Sequence, residues 1–455
     1  MVRPSHFVFA LLLSGTLLAT PLIHAQKSIY VEYPQKKGKT EGLEWKALPS
    51  WLTFDMELRA RTEGQTAFSL SANADRDYEL TRIRGAFEVR PASFLSVYAQ
   101  FHDNHALGLP LHAVSSNMRD AFDLRQGFLD LHHGSAHLFA GRQELKFGGE
   151  RLVGASDWAN NSRTFDGFDL RLGNKNRVDL FTASVVTIYP TSLDKHGAGL
   201  NFHGIDASIT VIPKVHLEPY LFIKAIQKVT SAEGIVGNEL AFTPGLDVES
   251  KLPAGFSFEA NAALQRGSWS NDGIRSGQAY AKLYHSEPKL PWKPRLGAEI
   301  DYATGNNHAL AGRWSTYDQL YPSNHNAFGL TDIFGYQNIR QERFNLDLLP
   351  TKNLTLLVQG SFLEMATTRD SLYASSGSVL VKAPTGGFAS DHIGEEIDAS
   401  AKYVWHSYVV ANVGVGHFLA DSPAMAVTGK KAANTIAYFG LTYRFRADRK
   451  AVDAN

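Results

Sequence analysis

Arginine on alternate residues is the chemically loaded feature of this chain. In 81–90, Arg82, Arg84 and Arg90 share a parity with Ala86 and Glu88, while Thr81, Ile83, Gly85, Phe87 and Val89 hold the other. After Pro91-Ala92-Ser93 the alternation resumes, with Leu95, Val97, Ala99 and Phe101 against Ser96, Tyr98, Gln100 and His102. In 138–147, Phe139, Gly141, Leu145 and Phe147 oppose Arg142, Glu144 and Lys146. A guanidinium is planar, permanently charged and able to hold a carboxylate by paired hydrogen bonds. A ring of them around a wet passage concentrates anions. The plainer use is an Arg–Glu or Arg–Asp pair between neighbouring strands, which only stiffens a wall.

Both uses need strands to present the side chains, and period-2 alternation recurs along the chain. Leu52, Phe54, Met56, Leu58 and Ala60 alternate with Thr53, Asp55, Glu57, Arg59 and Arg61. The same holds for Phe256 to Gln265 and for Arg295 to Tyr302. Short turns rich in Pro, Gly or Asn, such as RPAS at 90, HGSA at 133 and LPTKN at 349, alternate with longer polar segments. The longer ones lie near 62–77, 103–120, 148–163, 189–196, 228–238, 267–275, 304–337, 366–391 and 419–433. A soluble sandwich has no reason to alternate in this way. A transmembrane antiparallel β-barrel does, with short periplasmic turns, long extracellular loops and about 18 strands, an even number. The apolar parity then meets lipid and the arginines face a wet lumen.

The N-terminus fits export. Arg3, the apolar run Phe7 to Leu13 and the small residues ending at Ala25 read as a signal peptide over 1–25. A periplasmic lead-in over 26–50, a barrel over 51–446 and a tail over 447–455 complete the expected organisation. Formal net charge is zero, which argues against a nucleic-acid binder. Cysteine is absent, so there is no disulfide frame and no thiolate site. His102, His132 and His133 are scattered, with no second ligand repeating at metal spacing, so no metal is expected. No Walker A pattern and no nucleophile elbow occurs, and the chain is not expected to be an enzyme. Trp158, Trp269, Trp292, Trp314 and Trp405 are expected as interface anchors, with sugar stacking by Trp158 or Trp314 as the lesser role.

Two long motifs go further. DLRQGFLDL…LFAGRQELKFGGERLVGASDWANNSRTFDG at 123–167 and YDQLYPSNHNAFGLTDIFGYQNIRQERFNLDLLP at 317–350 resemble the alginate-export family of outer-membrane porins, as does GAEIDYATGN near 297. The likeness runs over nearly the whole mature chain. It implies a monomeric eighteen-stranded barrel that passes a polyanionic uronate polysaccharide through arginines. Matching positions are Arg142, Arg151 and Arg163 with Asp166, and Arg340 and Arg343. Arg82, Arg84 and Glu144 join them by strand parity. The implied partners are outer-membrane lipids, an anionic oligo- or polysaccharide and, from the aromatic-ended strand IAYFGLTYRF at 436–445, the barrel assembly machinery. No cofactor is implied. Carboxylates interleave the arginines, so the substrate reading is a channel for anionic saccharides or related organic anions. The alternative is a closed-lumen barrel whose loops act as a surface receptor or adhesion site.

Overall fold

The computed structural model describes residues 48–49, 51–231, 233–307, 312–325, 327–405, 408–420 and 433–447. The expected signal peptide, nearly all of the lead-in and the tail beyond 447 lie outside the described residues. The strands are β1 (Leu52–Thr66), β2 (Arg76–Ala92), β3 (Leu95–Leu107), β4 (Asp120–His133), β5 (Ala136–Gln143), β6 (Phe165–Gly173) and β7 (Arg177–Thr187). They continue as β8 (Lys195–Ser208), β9 (Val215–Thr230), β10 (Val236–Lys251), β11 (Phe256–Trp269), β12 (Asp272–Ser286) and β13 (Arg295–Ala303). After the two-residue β14 (Arg313–Trp314) come β15 (Ile339–Thr351), β16 (Leu354–Met365), β17 (Leu372–Tyr373), β18 (Val379–Val381), β19 (His392–Trp405), β20 (Val409–Leu419) and β21 (Asn434–Ala447).

Leaving aside β14 and the loop hairpin β17–β18, each strand pairs antiparallel with the next, and the first pairs with the last. The seam runs from Phe54↔Ala447 to Thr66↔Thr435. The result is a closed barrel of 18 strands. Closure is obligatory in hydrocarbon, where an open edge would leave a row of unpaired N–H and C=O groups. The side chains sort as alternation requires. Ile83, Phe87, Leu264, Ile300, Phe344, Ile397 and Phe439 are exposed on the outside, while Arg82, Arg84, Asn261, Gln265, Glu299 and Asp301 are buried within.

Two-residue turns at 93–94, 134–135 and 352–353 close one rim. Gly134 has φ 61°, a left-handed conformation that costs glycine little. The opposite rim carries the long connections, among them 144–164, 304–338 and 366–391. The polar stretch at 267–275, expected as a long loop, is a hairpin tip instead. β11 and β12 pair right up to Trp269↔Asp272, with Ser270 and Asn271 as the whole turn. Polarity there reflects strands standing clear of the lipid. β14 adds to this projection in parallel with β12, and Trp269 stacks on Trp314 at 4.7 Å.

The core lies inside the barrel. Phe165, Phe181, Phe202 and Phe222 line the inner wall of β6 to β9. Against them pack Leu145, Phe147, Leu152 and Val153 from one connection, Tyr317, Tyr321, Phe328 and Phe334 from a second, and Leu372, Val381 and Phe388 from a third. Each buried aromatic contributes about 1.5–3 kcal/mol, enough to hold these connections inside.

This filling overturns one expected face. Phe139 and Gly141 were assigned to lipid and Arg142 to the lumen. Phe139 instead packs on Phe128 (5.9 Å), which stacks on Tyr98 (5.0 Å), and Leu145 and Phe147 enter the interior cluster. An interior that is locally apolar reverses the hydrophobic signal of a short strand.

The absence of cysteine makes the register testable. Ile83→Cys, Phe344→Cys and Phe439→Cys should react with a lipid-phase maleimide, and Gln100→Cys and Lys402→Cys with a membrane-impermeant one. Swapped reactivity on any of these strands would mean its register is off by one residue.

Candidate functional site

The stretch Asp157 to Ser162 lies against the inner faces of β1 to β3, gripped largely through its backbone. Arg59 donates from Nη1 to the Asp157 carbonyl (2.9 Å) and from Nη2 to the Ala159 carbonyl (2.9 Å). Arg61 donates to the Trp158 carbonyl (2.7 Å). Arg82, 1% exposed, donates to the Asp157 carbonyl (3.1 Å) and to Glu57 Oε1 (2.8 Å). Arg84 donates to Asp157 Oδ1 (2.8 Å) and to the Ser162 hydroxyl. Asn160 Nδ2 donates to the carbonyls of Thr81 and Met118, each at 2.9 Å. A loop drawn inside a barrel would otherwise carry orphan carbonyls; the arginines satisfy them with charge-assisted bonds.

Asp157 is the anionic counterpart within the segment. Burial pushes its carboxyl up, but Arg82, Arg84, Arg59 and Arg125 outweigh that and hold it well below its ordinary value. Trp158 lies between Arg61 (3.7 Å from the ring centre) and the His325 ring (3.6 Å, interplanar angle 1°). At those distances the two must occupy opposite faces, so Trp158 is neither an interface anchor nor open to a sugar ring. Trp292 and Trp405, by contrast, are exposed at the short-turn rim.

The connections 144–164 and 304–338 are joined. Gly154 N–H donates to the Tyr321 carbonyl (2.8 Å) and Tyr321 N–H to the Leu152 carbonyl (2.9 Å). Arg163 donates from Nη1 to the carbonyls of Gly154 (2.9 Å), Tyr321 (2.5 Å) and Pro322 (3.1 Å). Arg151 reaches the opposite wall, bonding Asp301 and lying 4.7 Å from the rings of both Phe328 and Tyr336. Arg343 bonds Glu299 and donates to the Ala327 carbonyl (3.2 Å). Glu144 accepts from Arg125 and pairs with Lys146 at 2.8 Å.

Three expected lumen residues sit elsewhere. Arg142 and Asp166 are direct cross-strand partners joined at 2.8 Å. Asp166 shares its parity with the exposed Phe168 and opposes the buried Phe165 and Asp169, so this pair lies on the outer side near the long-loop rim. Arg340, 50% exposed, pairs with Glu364 and shares the outward parity of Phe344, 57% exposed. The motif matches did not distinguish the two faces; the pairing register and burial do. Arg59, Arg61, Arg125, Arg444 and Lys402 were not singled out, although parity alone places Arg59, Arg61 and Arg444 inward. Arg444 bonds Glu57. Together with Arg82 and Arg84 these cations make one basic sector over β19, β21, β1, β2 and β4.

A closed eighteen-stranded barrel with lipid-facing apolar residues and loops folded into a charged lumen defines an outer-membrane porin. A family model for alginate export matches residues 50–434, and the chain belongs to that family. No curated protein matches it. Among solved structures it is similar to Pseudomonas aeruginosa OpdO, at 12% identity and TM-score 0.60, covering 87% of this chain and 97% of that one. Pseudomonas aeruginosa OprD is similar at 12% identity and TM-score 0.58, covering 89% and 97%. Pseudomonas aeruginosa OpdK with vanillate is similar at 13% identity and TM-score 0.55, covering 87% and 98%. At such identities the likeness is one of fold.

Amide hydrogen exchange tests the grip on the inward segment. Asp157→Asn should lower protection of residues 157–162 by the equivalent of about 1–3 kcal/mol, because two buried guanidinium groups lose a charged acceptor. A carboxyl with a depressed pKa stabilises above its unfolded value and loses that effect only as pH falls through the folded one. Protection of the wild type, corrected for intrinsic rate, should therefore stay flat from about pH 8 to about pH 4.5 and fall only in stronger acid. A loss near neutral pH would exclude Asp157 as the clamp.

Proposed function

We propose that the chain is an outer-membrane channel for anionic organic molecules, uronate-type saccharides among them, with the basic sector as the substrate path. One observation carries this reading. Arg59, Arg61, Arg82, Arg84 and Arg444 from the adjacent strands β21, β1 and β2 converge on a single sector at the level of the inward segment, whereas β6, β7, β13 and β15 each hold one inward arginine, Arg171, Arg177, Arg295 and Arg343. Arg59 and Arg444 keep part of their side chains accessible there. Successive carboxylates of an oligouronate could exchange between neighbouring guanidinium groups, each contact weak enough to release. Glu57, Glu63 and Asp157 lower the field of the sector and keep binding shallow. Vanillate, named with OpdK, is itself a carboxylate and suits the same chemistry. Family membership supports transport in general; the substrate class rests on the sector.

A second reading, a closed-lumen barrel acting as a surface receptor or adhesion protein, draws on the three connections that fold inside and bury an aromatic cluster.

Planar-bilayer recording distinguishes the two. The channel reading expects ohmic conductance with a reversal potential favouring anions, and transient block by oligouronates. Replacing Lys402 and Arg444 together by Gln should reduce anion preference severalfold, more at low salt, where the Debye length grows to about 30 Å at 0.01 M. An unchanged reversal potential in the folded double variant would remove the sector as the filter. A protein that inserts without conducting would favour the receptor reading.

A further inference from the structure

We propose that Asp130, His132 and His137 form a binding site for a divalent transition metal, with zinc the best match, on the lumen wall near the short-turn rim. The proposal is independent of what passes through the channel.

The hairpin builds the site. β4 and β5 are joined by Gly134 and Ser135 alone, which makes His132 and His137 direct cross-strand partners. Asp130 precedes His132 by two residues and so shares its face. That face is the lumenal one: Phe128, of the same parity, stacks on Tyr98 within, while Leu129 and Leu131 are exposed outside. The sequence separated these ligands, since the spacing from His132 to His137 matches no helix or knuckle motif. The turn position, together with period-2 parity, brings them together.

The donor atoms converge. One ligand atom from each residue lies within 4.8 Å of the other two. His137 Nδ1 is 3.1 Å from Asp130 Oδ2, and His132 Nδ1 is 3.5 Å from the same oxygen. Ligands bound tetrahedrally to zinc at 2.0–2.1 Å stand about 3.3 Å apart, so these two separations bracket the edge a metal would set. His132 Nδ1 is shielded from solvent yet makes no hydrogen bond. An orphan ring nitrogen aimed at a carboxylate that already faces a second imidazole is a donor set short of its acceptor. The imidazole rings are stacked at 5.3 Å, and Phe139 stacks on His137 at 5.8 Å, fixing ring orientation as outer contacts do in metal sites.

Charge and access agree. Arg171 is the cation directly across from His137 on β6, but it is engaged by Asp179 at 2.5 Å and Asp169 at 3.6 Å. Ser96, across from Asp130 on β3, is neutral. The His132 and His137 side chains are 26% and 28% exposed, which leaves a path from the lumen and room for water in the fourth position. Two imidazoles and one carboxylate favour zinc, copper or nickel over calcium or magnesium.

The test uses the full mature chain without a histidine tag, folded in detergent and stripped with chelator. Cobalt(II) should bind at about one equivalent per chain with the visible bands of a tetrahedral ion, and zinc should displace it. His132→Ala, His137→Ala and Asp130→Asn should each weaken binding by at least about tenfold. His133→Ala, on the outer face, should leave it unchanged. His137→Gln, which keeps size and polarity, serves if the alanine variant loses heat-modifiable migration. Wild-type protein that takes up no saturable metal, or uptake unaltered in the folded His132 and His137 variants, would overturn the site and leave a plain histidine–aspartate pair.

Discussion

Every backbone polar group needs a partner where water is excluded, and this one constraint shapes both faces of the wall. Toward lipid it forces closure: the β1–β21 seam removes the edges the sheet would otherwise have. Inside, it recurs at the connections that fold into the lumen. Residues 157–159 have no strand beside them, so guanidinium groups from β1 and β2 take the place of a ladder. The same sequence alternation thus supplies an apolar outer face and an inner face of donors.

This dual use explains why an arginine-rich lumen is not simply a basic pore. At an effective dielectric near 20 a close ion pair is worth only a few kcal/mol, so an arginine that braces the wall through Glu57 or a backbone carbonyl can exchange that partner for an anion at small cost. Bracing and attraction are therefore compatible at Arg59 and Arg444, which retain accessible surface. They are less so at Arg151 and Arg343, which are buried against Asp301 and Glu299. The wall of β13 and β15 fixes the second connection, whereas β19, β21 and β1 carry cations, Lys402, Arg444 and Arg59, that keep accessible surface.

The barrel, its strand number and most strand faces were legible because lipid imposes period 2 over long runs. Ile300 and Glu299 could be assigned to opposite sides from the sequence alone. The exceptions share one cause. β5 is short, and beneath it the lumen holds an aromatic cluster, so Phe139 and Arg142 exchanged their expected sides. Arg340 and Asp166 stand near the long-loop rim, where the outer face is no longer in hydrocarbon and tolerates charge. Trp158 looked like an anchor because inward folding of 144–164 has no local signature. It depends on carbonyls meeting arginines some hundred residues distant. The histidine pair of the β4–β5 hairpin is hidden in the sequence for a different reason: His132 and His137 come together across a turn, a juxtaposition that spacing along the chain does not mark.

The connections 144–164 and 304–338 cannot move separately. Arg163 belongs to the first and bonds carbonyls of the second. Trp158, from the first, is stacked between Arg61 of the wall and His325 of the second. Withdrawing the 304–338 segment would strip one face of Trp158 and two of the Arg163 acceptors at once. Withdrawing 144–164 would leave the arginines of β1 and β2 without their backbone acceptors. Widening the lumen by displacing either one therefore requires breaking contacts of both, and the wall arginines set the common resistance. An anion that competes for Arg59 would act on that same resistance, so under the proposed channel function passage and loop position would be linked through shared guanidinium groups rather than through a separate hinge.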